Sequence, residues 1–186
     1  MITGSAWRTA LTVVFVAAAL IYAVQARGAA GWQRKGVWSV HAVAAAVMVA
    51  MLWPTGMAVS PLLYLMFFTA CGLFVVFVGV FFGSLAHWPY HAAMMAAMAA
   101  MPVMMTAPST ATPMPMVSHG GHMAMAAGPV VAAATPGWLR VSSAALAGLL
   151  FVSALWWFYV LIRGPQRPYP DLLMAIGMGA CFALCV

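Results

Sequence analysis

From Thr9 to the C-terminus the chain alternates long apolar runs with short polar breaks. The runs cover Thr9–Gln25, Val37–Val59, Leu62–Gly83, Tyr90–Met105, Trp138–Ile162 and Asp171–Val186. They come close to the roughly 17–25 residues that a hydrocarbon core asks of a helix, and they lack the period-two alternation of a membrane barrel. Lipid offers no water to an open backbone, so such runs read as helices. The pattern predicts an all-α, polytopic transmembrane helical bundle of about six spans arranged as three helical hairpins, one integral membrane domain over residues 1–186. The last run is short: at 1.5 Å per residue it covers roughly 24 Å, so it either ends just inside the far leaflet or inserts only in part.

A finer pattern recurs inside alternate spans. At about 100° per residue, His91, Met94, Met98 and Met101 fall within roughly 80° of one another and share one helix stripe. Seven and ten residues after His41 stand Met48 and Met51; after His91, Met98 and Met101; after Asp171, Met178 and Cys181. The third-residue position reads Ala44, Met94 and Met174. Spans two, four and six therefore begin with a polar head and continue as a sulfur-bearing face, which predicts an inner, Met-lined core. Met and Ala also pack well between membrane helices, so the same stripe is open to a purely structural reading.

Composition supports the membrane assignment and sets the topology. Hydrophobic residues make up 67% and charged residues 4% of the chain, with a mean hydropathy of +1.06, leaving little polar surface for water. The net charge of +6 is spread over short breaks and forms no basic patch for nucleic acid. Arg27, Arg34 and Lys35 lie between spans one and two, and Arg163 and Arg167 between spans five and six, against Arg8 and Arg140 on the other side. That bias predicts both termini and the 107–137 segment to be extracytoplasmic. Arg8 ahead of an apolar run resembles a signal peptide, but no small-residue cleavage site followed by a polar domain is reached, so the run is expected to be retained. Cys71, Cys181 and Cys185 lie in apolar runs without CxxC or zinc spacing and read as buried thiols.

Three constellations could carry chemistry. Thioethers suit Cu(I) and need no deprotonation, so the repeated stripe could hold or conduct copper. His41, His91 and Asp171 could form a facial metal site, and an ionisable group inside a membrane protein is a functional candidate by default. The plainer alternative has Asp171, the only acidic residue, capping span six after Pro170, with the two histidines at helix entrances. His41 and His91 on separate spans could also bis-ligate a haem. Between residues 107 and 137, Met114, Met116, His119, His122, Met123 and Met125 offer soft ligands, with Gly120-Gly121 letting the imidazoles converge. A solvated low-complexity loop is the alternative there. One carboxylate and one lysine leave no general acid/base pair, and no phosphate-binding glycine pattern is present, so no enzyme activity is expected.

The order of features, a basic turn, His41 through Met51-Leu52-Trp53-Pro54, then Tyr90-His91-Ala92-Ala93-Met94-Met95, resembles an actinobacterial family of small Met/His-containing integral membrane proteins carried as a domain of unknown function. The resemblance implies a plasma-membrane location and no established activity. Asp171 for His and Cys181 for Met are departures of the third repeat from the first two. The leading expectation is a copper-binding membrane protein with partners limited to the lipid bilayer and a homo-oligomer or larger membrane complex. The competing expectation is a non-catalytic structural or assembly subunit whose Met/Ala faces only pack.

Overall fold

The computed structural model describes residues 5–83, 87–106, 137–163 and 169–184. Seven helices follow in order: α1 Ser5–Gly28, α2 Trp32–Met51, α3 Pro54–Met57, α4 Pro61–Phe82, α5 Trp88–Thr106, α6 Gly137–Arg163 and α7 Tyr169–Leu184. The second helix ends at Met51, short of the expected Val59. Pro54 is the cause: its ring disfavours the helical region for the residue before it, and Trp53 is extended at φ −106°, ψ 151°. The chain then makes the single turn of α3, which is held to the next helix by the Tyr64 hydroxyl donating to the Gly56 carbonyl at 2.7 Å. Pro61 opens α4, where its missing N–H costs nothing, and Gly83 closes it in the left-handed region at φ 56°. Helix α7 starts two residues ahead of Asp171, which therefore lies within the first turn and not at its cap.

Helices α1, α4 and α6 are long and apolar enough to cross a membrane, and only 22–28% of each such window is buried. Leu20, Phe81 and Leu155 are typical of their outward faces, each more than 60% exposed. With three such helices the chain is a multi-pass membrane protein. Helices α2, α5 and α7 carry His41, His91, the acid and, among the described residues, most of the sulfur, and they lie inside.

The pairing is cyclic. Consecutive helices form the hairpins α1/α2, α4/α5 and α6/α7. Each outer helix also leans on the inner helix of another hairpin. Helix α1 packs on α7, and α4 on α2 through a small cluster of Val37, Val75 and Val78. Helix α6 meets α5 through Trp157 against Tyr90 and Ser143 against Met104. One continuous core results, drawing on all six long helices.

Glycines set the close approaches of α7. A Cβ at Gly177 would sit 2.9 Å from Phe15 of α1, and one at Gly179 would lie 3.5 Å from Phe151 of α6. Without a hydrophobic drive between helices in lipid, small residues that admit a neighbour's ring are what bring them together. Replacing Gly177 by alanine should push Phe15 outward and destabilise the fold by about 1–3 kcal/mol, the usual cost of overpacking. The same change at Gly179 should be tolerated. Thermal unfolding in detergent checks the contrast.

Candidate functional site

The three polar heads meet. His41 comes from the middle of α2, and His91 and Asp171 from the first turns of α5 and α7; each is 5% exposed or less. The imidazoles of His41 and His91 are in edge-to-face contact, with ring centroids 4.7 Å apart and planes at 80°. His91 Nδ1 lies 3.7 Å from Asp171 Oδ1, close enough for attraction and too far for a hydrogen bond. His41 does not occupy a helix entrance, being fully enclosed nine residues into α2, whereas His91 lies in the first turn of α5 and is buried there. The contact between the rings leaves no room for a porphyrin between them.

The backbone fixes the chemistry of His41. Its Nδ1 is 2.8 Å from the Val37 carbonyl, which can only accept, so Nδ1 carries the proton. In the neutral ring the lone pair then belongs to Nε2, which is buried without a hydrogen-bond partner, as is His91 Nδ1. An imidazole oriented by donating one nitrogen to a carbonyl while the other stays open is the usual arrangement of a metal-ligating histidine. Yet among the described residues no three His, Cys, Asp or Glu side chains are grouped so as to hold a metal ion. His41, His91 and Asp171 are neighbours without forming the expected facial triad.

Asp171 is engaged elsewhere. Tyr22 of α1, fully buried, donates its hydroxyl to Asp171 Oδ1 at 2.8 Å, and Tyr90 donates to the Asp171 carbonyl at 3.1 Å. Trp38 stacks on Tyr22 with centroids 5.8 Å apart and abuts His91 edge-on at 5.7 Å. Tyr22, Tyr90 and Trp38 were not among the residues the sequence singles out. The available signal was chemical: a lone acid in lipid needs a donor, and few span residues carry a hydroxyl.

Below this polar level runs the sulfur. Met94 and Met174 stand three residues on from their polar heads, about one helical turn deeper. Met48, Met98 and Met178 follow about 10 Å below the heads at 1.5 Å per residue. Met51, Met101 and Cys181 come about one turn deeper again. All eight are at most 6% exposed and belong to the same core cluster. Met95 joins them, although it lies off the stripe. His119, His122, Met123 and Met125, with Met114 and Met116, lie outside the described residues.

The bond from Tyr22 carries a clear expectation. Tyr22→Phe keeps the ring that stacks on Trp38 and removes only the donor to a buried carboxyl, so it should cost about 1–3 kcal/mol. Tyr90→Phe, which loses a longer, part-buried bond to a backbone carbonyl, should cost less. Reversible unfolding in mixed micelles measures both.

No curated protein and no solved structure matches the chain. A family model, described as a domain of unknown function (DUF5134), matches residues 36–185, from the first turns of α2 onward, so that Tyr22 falls outside the matched stretch. With its inner helices and all three polar heads inside that match, the chain belongs to the DUF5134 family.

Proposed function

We propose that this chain is a six-span plasma-membrane protein that binds and handles a soft transition metal, copper, through the His41–His91 pair and the methionine levels beneath it. The observation that carries the reading is the open Nε2 of His41, whose tautomer is locked by Val37, in a ring packed edge-to-face with a second buried imidazole at the head of a sulfur-lined core. Imidazole and thioether are the ligands that copper accepts without a deprotonation step. In this reading α2, α5 and α7 also cross the bilayer, as inner helices sheltered by α1, α4 and α6.

The charge bias of the breaks supports an arrangement with both termini and the 107–137 segment outside. His119, His122, Met123 and Met125 then serve capture, while the polar heads lie toward the cytoplasmic side. Met48, Met51, Met98, Met101, Met178 and Cys181 line the depth between. The role is transfer or holding of the ion, and no bond is made or broken.

A second reading, an assembly subunit of a larger membrane complex, is favoured by one feature. An open apolar groove of about 530 Å³ runs along α4 and α5 beside Trp138, a surface a partner helix could fill.

Loading detergent-purified protein with Cu(I), washing, and counting metal by elemental analysis separates the two. Wild type should retain copper. Deleting residues 113–125 should leave the buried copper in place, and His41→Ala with His91→Ala should remove it. Met98→Leu with Met101→Leu, a near volume-conserving change, should slow loading without unfolding the protein. No retained copper in wild type would discard the metal reading in favour of the subunit.

A further inference from the structure

We infer that the buried centre is charge-selective: it accepts one monovalent soft cation, Cu(I) or Ag(I), rejects divalent ions, and holds its cation at the imidazole level and not among the methionines. The inference rests on the metal reading above and adds the charge and resting place of the ion.

Charge balance at the buried centre sets the valence of the ion. Asp171 is the only acidic side chain in the chain, and it is 5% exposed. The groups around it are Tyr22 of α1, His41 of α2, and His91 and Tyr90 of α5, with Trp157 of α6 against Tyr90. None of these is a fixed cation. Among the described basic residues, Arg27, Arg34, Lys35, Arg140 and Arg163 are exposed, and Arg8 lies over the Trp53 ring near the opposite end of α1 from Tyr22. A single positive ion beside the Asp171 carboxylate makes the enclosed centre neutral. A divalent ion leaves one charge unbalanced where low dielectric makes that costly.

The resting place follows from distance. His91 Nδ1, without a hydrogen bond, lies 3.7 Å from Asp171 Oδ1, and the His41 ring is packed against the His91 ring with centroids 4.7 Å apart. The level of Met48, Met98 and Met178 is about 10 Å further along the axis, where thioethers supply ligands and no charge. Coulomb attraction to Asp171 therefore favours the upper level.

Binding isotherms with Ag(I) on the full chain in detergent test this, counting only the portion lost in the His41→Ala, His91→Ala double variant. That portion should be one Ag(I) per chain, and tenfold excess Zn(II) or Ni(II) should not displace it. Asp171→Asn should weaken it about a hundredfold, the scale of one ion-pair contact at a few ångströms in a medium of intermediate dielectric. Tyr22→Phe, which keeps the carboxylate, should stay within about tenfold of wild type, the loss expected from one hydrogen bond. Met98→Leu with Met101→Leu should lower the affinity far less than Asp171→Asn does. Displacement by Zn(II) would overturn charge selectivity while leaving a metal site standing, and it is decided on wild type even if Asp171→Asn does not fold. Unchanged affinity in folded Asp171→Asn, or a large loss in the methionine variant, would overturn the resting place. No Ag(I) on wild type would remove the metal reading and this inference together.

Discussion

One carboxyl group enclosed in a membrane bundle is the constraint on which this structure turns. Asp171 could not be carried to its position without a donor, and the donor is Tyr22 at 2.8 Å, from a helix 149 residues away in sequence. That bond draws α1 against α7, and Gly177 lets the two come close enough for it. Tyr22 in turn lies against both Trp38 and His41, so the acid, its donor and the imidazole pair form one packed unit. A buried polar group left without a partner costs more than the bond itself gives, which is why the surroundings of Asp171 are so fully committed.

The part of this site that was legible in the sequence was its periodic part. Equivalent spacing after His41, His91 and Asp171 put the sulfur atoms on matching faces, and helices sharing an axis then bring matching faces together. The two repeats that begin with histidine and the one that begins with aspartate did converge. The presence of Pro54 was equally plain, yet an apolar run on both sides of Trp53 masked its consequence, and the helix stops at Met51. Residue class alone reads through a proline; the backbone does not.

What could not be read was contact across helices. Tyr22 sits in an apolar run where neither its neighbours nor its spacing mark it as different from a lipid-facing residue. In lipid, a helix face that meets protein and one that meets acyl chains have nearly the same composition, so sequence hydropathy does not tell α1 packed on α7 from α1 alone. Capping by Asp171 was a sound local expectation that lost to a long-range one: the residue lies within the first turn of the helix and its carboxyl is satisfied from another hairpin.

The cyclic pairing of the hairpins has a mechanical consequence. Each outer helix rests on the inner helix of a different hairpin, so the three hairpins brace one another like staves, and tilting one displaces both neighbours. The three joints are not equal. The joint of α1 with α7 is sealed by Phe15 against Gly177 and by the tyrosine–aspartate bond, whereas α6 touches α5 through a few side chains, and a cleft lined by Tyr90, Val152, Ser153, Trp156 and Trp157 lies along that joint. The barrel of helices therefore has a built-in parting line, and any sideways opening toward the bilayer runs along α5 and α6.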